Sequence, residues 1–207
     1  MPPSQQRGRW SGVPLADRQA LRREQLVTAG VRILGDAHGA PLTVRSVCRD
    51  AKLTERYFYE SFTDREEFVR AVYDDVCTGA MAALMSACTA REAVERFVAL
   101  MVDDPVRGRV LLLGPETEPA LARSGQDWMP NFIDLLQHKL TRIGDPTQQT
   151  MVATSLIGGL TALFVGYLNG RLAATRAEFI DFCVDLLLTA GRRDPVTPGS
   201  RRPDLST

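Results

Sequence analysis

The chain of 207 residues balances 25 Lys/Arg against 25 Asp/Glu and is 44% hydrophobic, with four cysteines and two histidines. That length buries a real core in one or two packed domains, and the composition is that of a globular protein, not a fibrous or disordered one. Cys48, Cys77, Cys88 and Cys183 show no paired metal spacing, and His38 and His138 lie far apart. A zinc module is thereby excluded, and no Ser-His-Asp or Cys-His set remains from which to assemble an enzyme.

The zero net charge conceals an asymmetry. Residues 1–65 carry 11 Lys/Arg and 7 Asp/Glu, whereas residues 66–191 carry 10 and 16. A basic front on an acidic body suits a DNA-reading domain joined to one that does not touch DNA. The N-terminus lacks the apolar core of a signal peptide, so a cytoplasmic protein is expected.

Residues 1–14 are rich in Pro, Gly, Ser and Gln and read as a flexible tail, or as a basic arm through Arg7, Arg9 and Trp10. From Asp17 to Ala37 the pattern is helical, with Leu26, Gly30, Ile33 and Leu34 on one side and Gly39 as a stop. Thr43 is an N-cap candidate, and Val44, Val47, Cys48 and Ala51 follow as one buried stripe. Lys52 and Leu53 form a turn, and Thr54 stands where it can cap a second short helix anchored by Phe58 and Phe62. Two such helices joined by a tight turn make a helix-turn-helix, whose second helix enters the DNA major groove. The DNA-binding domain is therefore expected over 15–63 and a helical body over 64–190, with a second tail at 191–207.

Asp64, Glu66 and Glu67 suit the start of a long helix that runs to about Ala90. At more than twenty residues it spans over ~30 Å and can transmit a tilt from body to DNA domain. Cys77 and Cys88 share a helix face in this reading but stand too far apart to bridge. An amphipathic helix over Ala90–Asp103 and a short apolar segment, VLLLG, follow, and a longer helix covers Pro119–Ile143. No strand-like alternation stands out, so the fold class is all-α.

Pro146–Gly170 holds no charged residue. A membrane span needs about twenty mostly apolar residues, but Gln148, Gln149, Thr150, Thr154, Ser155 and Thr161 interrupt this run. The alternative, preferred here, is a helix covered by its own domain on one side and by a second copy of the chain on the other. Gly158 and Gly159 allow close approach of helix axes. With a last helix over Arg176–Ala190, this predicts a four-helix bundle across a two-fold axis, in which Phe164, Tyr167 and Phe182 join the two glycines at the dimer interface.

Residues 22–72, with the Thr43 cap, the Leu53-Thr54 turn, the Tyr57-Phe58-Tyr59 aromatic set, Phe62 and Arg65, resemble the TetR family of bacterial transcriptional regulators. Two positions differ from the family pattern: Lys52 occupies a turn position usually held by Gly, where a left-handed backbone carries strain, and Ser61 stands where His is common. The resemblance implies an N-terminal three-helix DNA-binding domain and a C-terminal helical domain for ligand binding and dimerisation. It places Thr43, Tyr59, Ser61 and Arg65 on phosphate oxygens, with Arg45 and Thr54 beside them. Base readers are Arg56 toward guanine, Glu55 toward cytosine and Tyr57 toward a thymine methyl.

The implied partners are double-stranded DNA with a palindromic operator, a second copy of the chain, and an unidentified small-molecule effector. No cofactor, metal or membrane is implied. By the same resemblance, Met85, Phe97, Met101, Trp128, Phe132 and Thr154 line a mainly apolar effector pocket, the usual composition of ligand sites. The expected function is a homodimeric repressor released from its operator by a largely hydrophobic ligand. The competing expectation is a ligand-independent DNA-binding or protein-interaction member of the same fold.

Overall fold

The structure, a computed structural model, describes residues 15–37 and 41–191. The tails expected at 1–14 and beyond 191, and the helix stop at Gly39, lie outside the described residues. Among the described residues ten α-helices follow in order: α1 Leu15–Gly35, α2 Val44–Ala51, α3 Glu55–Ser61, α4 Arg65–Met85, α5 Ala90–Met101, α6 Pro105–Gly108, α7 Gly114–Thr117, α8 Pro119–Gln137, α9 Pro146–Leu168 and α10 Arg176–Ala190. No strand occurs among the described residues, and the fold is all-α.

Threonine and aspartate fix where the helices begin. Thr43, Asp64, Thr89, Asp145 and Thr175 each accept hydrogen bonds from backbone amides in the first turn, and each such cap contributes roughly 1 kcal/mol. Two expected boundaries move. The helix opened by Arg65 stops at Met85, because Ser86 turns out of it and Thr89 starts α5. α8 ends at Gln137 because Lys139 and Leu140 close tighter turns onto Leu136 and Gln137, which folds Leu140 and Ile143 inward to be buried. The short apolar VLLLG segment lies mostly in a π-helical turn, Arg109–Leu113, that carries the chain from α6 into α7.

One continuous core joins the two halves of the molecule. Leu26, Val47, Phe58, Phe62, Phe68 and Val72 from α1 to α4 share it with Met101, Val110 and Leu121 from the body. Gly30 is required where α1 crosses α4, since a Cβ there would fall 2.5 Å from Val72 and 2.6 Å from the Phe68 ring. At the end of α1, a Cβ on Gly35 would meet the Val106 carbonyl oxygen at 2.2 Å, so α1 lies directly on α6. A second core packs Phe164 between Phe97 and Phe179, with edge-on rings at 5.0 and 4.9 Å. A third gathers Leu140, Ile143, Val152, Ala153 and Leu156 at the turn between α8 and α9.

Candidate DNA-recognition face and ligand cavity

α2 is held at both ends by local hydrogen bonding. Thr43 Oγ1 accepts the Ser46 amide at 3.0 Å while the Thr43 amide donates to Ser46 Oγ at 2.9 Å, a reciprocal capping box. At the other end Lys52 adopts φ 56 and ψ 37. The Lys52 amide bonds the Arg49 carbonyl at 3.3 Å and the Leu53 amide reaches back to Cys48 at 2.9 Å. This is the Schellman closure usually built on glycine, so the left-handed backbone expected at the turn is present on a lysine.

α3 stands on Phe58, which is fully buried against Phe62 and Phe68. Glu55, Arg56, Tyr59 and Glu60 face outward. Arg56 has 83% of its side chain exposed and, among the described residues, is tied through Nε to Glu60 one turn away at 2.8 Å. Tyr59 is 59% exposed. Arg45 is exposed on α2 and makes no ion pair among the described residues. This is the face expected to meet DNA.

Four members of the expected set are placed differently from the sequence reading. The Ser61 hydroxyl donates to the Tyr57 carbonyl at 2.9 Å, so its proton is not free for a phosphate. Thr54 occupies the N-cap position of α3, but its hydroxyl makes no capping bond, unlike that of Thr43. Tyr57 is half-buried, with the Arg22 guanidinium 3.9 Å above its ring, which covers one of the faces a thymine methyl would use. Arg65 donates from Nε to the Leu42 carbonyl at 3.2 Å and from a terminal nitrogen to Glu118 at 2.6 Å. That bond holds the Glu118 carboxyl below its ordinary range. The cover from Arg22 and the bridge to Glu118 depend on tertiary contact and carry no sequence signature.

α4 connects this face to the body. Three polar bridges join its outer side to α8 or the residue before it: Arg65 to Glu118 at 2.6 Å, Glu66 to Arg123 at 2.6 Å, and Asp74 to the Trp128 indole N–H at 2.7 Å. The three contacts fall five residues apart on the α8 side, at Glu118, Arg123 and Trp128, and engage both ends of the first three turns of α4.

A cavity of about 1110 Å³ lies between α4, α5, α8, α9 and α10. Phe97, Trp128 and Phe132 line it, as expected. Met85, Met101 and Thr154 do not. Met85 is 64% exposed near the end of α4, Met101 is fully buried in the first core, and Thr154 faces out from α9. The family resemblance implied all three as lining residues, but Met85 and Thr154 face solvent and Met101 faces the first core. The lining residues missed include Tyr73, Leu112, Met129, Leu136 and Phe164. A legible signal existed on α8, where Gly125, Met129, Phe132 and Leu136 repeat at three and four residues.

On α9, Gly158 and Gly159 are exposed, a Cβ added at either would have nothing within 4 Å, and Gly158 also lines the cavity. Phe182 is 57% exposed on α10. Phe164 and Tyr167 do not share that face. Phe164 is only 4% exposed inside the second core, and the Tyr167 ring stacks on Phe179 with centroids 4.3 Å apart. α9 is the one helix among the described residues long and apolar enough to cross a membrane, and only 33% of its apolar stretch is buried.

In sequence, no family model and no curated protein matches the chain. Solved structures do. A TetR-like transcriptional regulator from a Rhodococcus species superposes with a TM-score of 0.63 at 18% identity, covering 86% of this chain and 97% of that one. A TetR-family transcriptional regulator from Streptomyces coelicolor gives 0.65 at 12% identity, over 83% and 79% of the two chains. A TetR family transcription regulator from Marinobacter aquaeolei gives 0.57 at 18% identity, over 85% and 98%. The chain has the fold of the TetR-family transcriptional regulators.

Proposed function

We propose that this protein is a sequence-specific DNA-binding transcriptional regulator of the TetR family, acting in the cytoplasm as a homodimeric repressor that a small, largely hydrophobic ligand releases from its operator. The observation that carries this reading is the physical continuity between the two candidate sites. A helix-turn-helix with an outward Arg56 and Tyr59 shares its core with α4, and α4 is tied by polar bridges to Arg123 and Trp128 of α8, which walls the cavity, and to Glu118 just before it.

Recognition divides between two kinds of contact. Tyr59, Arg45 and Thr54 hold phosphates and set register, while Arg56 and Glu55 reach base edges. Arg56 leaves Glu60 at little cost, since so exposed a pair is worth only about 0–1 kcal/mol. One copy reads one half-site, so tight binding needs two copies with a spacing set by their two-fold axis. The open faces of α9 and α10, with Gly158, Gly159 and Phe182, support pairing there. A ligand that displaces Trp128 or Phe132 shifts α8, and the bridges pass that shift to α4 and the spacing of the two recognition helices.

The test is a titration of the purified protein against a labelled inverted repeat from upstream of its own gene, or of a divergent neighbour, with random duplex as control. The expected result is at least about a thousandfold preference for the repeat. Equal binding to both duplexes overturns the proposal in favour of an interaction module with the same fold.

A further inference from the structure

The charged groups of the cavity are not arranged at random. This inference rests on reading the cavity as the effector site and concerns what it holds. At about 1110 Å³ it lies at or above the upper end of ordinary ligand pockets, which run to roughly 1,000 Å³. Its wall along α8 runs from Ala122 through Met129, Phe132 and Leu136 to Lys139 just past the helix end. At 1.5 Å per residue, its apolar part from Ala122 to Leu136 is about 21 Å long, which suits an elongated occupant better than a compact one.

The wall ends in cations. Lys139 and Arg142, with Thr141 between them, line the cavity from the turn joining α8 to α9, and all three are exposed. Neither cation makes an ion pair among the described residues. The nearest carboxylates in sequence do not neutralise them: Asp134 makes no ion pair among the described residues, and Asp145 accepts the Thr147 and Gln148 amides as the cap of α9. Among the described residues the one lining carboxylate, Glu116, lies on α7, before the start of α8 and so away from Lys139 and Arg142, which follow its end. A third lining cation, Arg171, lies beyond the far end of α9.

We propose that the cavity binds an amphipathic anion, a long apolar tail carrying a carboxylate or phosphate head, with the tail along α8 and the head between Lys139 and Arg142. A deep aromatic lining accepts the tail through burial of apolar surface. Two cations without ion-pair partners among the described residues favour an anionic head over a neutral or cationic one.

The experiment uses the full chain without DNA. Binding of palmitate, hexadecyl phosphate, hexadecanol and hexadecylamine is read below their micellar concentrations, by displacement of a fluorescent polyene fatty acid. The expected order places both anions at least about tenfold tighter than the alcohol, with the amine weakest. In a Lys139→Ala/Arg142→Ala variant the alcohol binds as before and the advantage of the anions disappears. Both substitutions are on exposed side chains, and the unchanged alcohol affinity shows that the cavity remains folded. Equal affinity for palmitate and hexadecanol in the native protein overturns the proposal, as does an anion preference that survives the double substitution. A carboxylate advantage over phosphate, or the reverse, distinguishes the two head groups.

A separate arm adds palmitate to the DNA complex. Tail-and-head binding without release of DNA leaves this proposal standing and removes the ligand-release reading. Specific DNA binding with no binding of any of the four compounds does the opposite.

Discussion

Lys52 is the one non-glycine residue with positive φ among the described residues, and it occupies the turn on which the helix-turn-helix depends. A side chain in this region costs about 1–2 kcal/mol, while glycine there costs unfolded-state entropy of about 0.4–1 kcal/mol. Lys52→Gly is therefore expected to stabilise the protein by up to about 1 kcal/mol, read as a higher denaturant midpoint at unchanged slope. A lower midpoint would mean that the lysine contributes something its backbone does not reveal. Arg56 presents the complementary case, a residue with little role in stability. Arg56→Ala should leave the melting temperature unchanged and cost about 1–3 kcal/mol at one base-pair position of the operator while sparing random DNA. Equal loss on specific and random duplexes would reassign Arg56 to the phosphates.

At the scale of the element, α4 decides how the two sites communicate, and its bridges can be cut one at a time. Glu118 holds the Arg65 guanidinium in the free protein, so a phosphate must compete with it. Glu118→Gln is expected to raise affinity for every duplex by up to about fivefold, the worth of a partly exposed ion pair, and to steepen the salt dependence by about one ion. No change in either quantity would remove Arg65 from the phosphate contacts. Trp128→Phe keeps an aromatic wall in the cavity but loses the 2.7 Å bond to Asp74. Ligand affinity should change little while the ligand concentration needed to release DNA rises, which simultaneous titrations of binding and release would resolve. The elements themselves were largely legible: Thr43 marks a real helix start because capping is a local interaction, and the helices expected from Ala90 and Arg176 begin there. The exit of α8 at Gln137 was hidden, because Leu140 and Ile143 continue a helical apolar pattern while turning into a separate core. The cavity was legible only in part for a similar reason. Periodicity reports that Met101 and Phe97 are apolar and inward, but not which inward space each one meets.

Across the whole molecule, carboxylates and thiols set opposite edges on the pH range of the fold. Several carboxylates are held below their ordinary values by native contacts: Glu118 and Asp103 by the Arg65 and Arg176 guanidinium groups, Glu67 by the Thr63 hydroxyl and amide, Glu92 by the Cys88 amide, and Glu178 by the Thr175 amide and hydroxyl. Each binds protons less readily folded than unfolded. Its contribution is therefore complete above the ordinary value, 4.5 for Glu and 3.8 for Asp, and is lost as pH falls through the depressed one. These contacts cap α4, α5 and α10 and tie α8 and α10 to their neighbours, so acid loosens helix ends and joints together. The thiols act in the other direction. Burial pushes Cys183 up from 9.0 to about 11 and raises Cys77 further, with Tyr73 raised beside it. The unfolded chain releases those protons first, so stability falls as pH rises above about 9. With only two histidines in the chain, little titrates between these edges. Thermal melts across pH should therefore show a plateau from about pH 5 to 8.5, a decline below about 4.5, and a second decline above 9. Cys183→Ala should soften the alkaline edge while leaving the acid edge in place. An alkaline decline of unchanged size in that variant would assign the edge to Cys77 and Tyr73, which share the core beneath α4 and would then be the groups that open first.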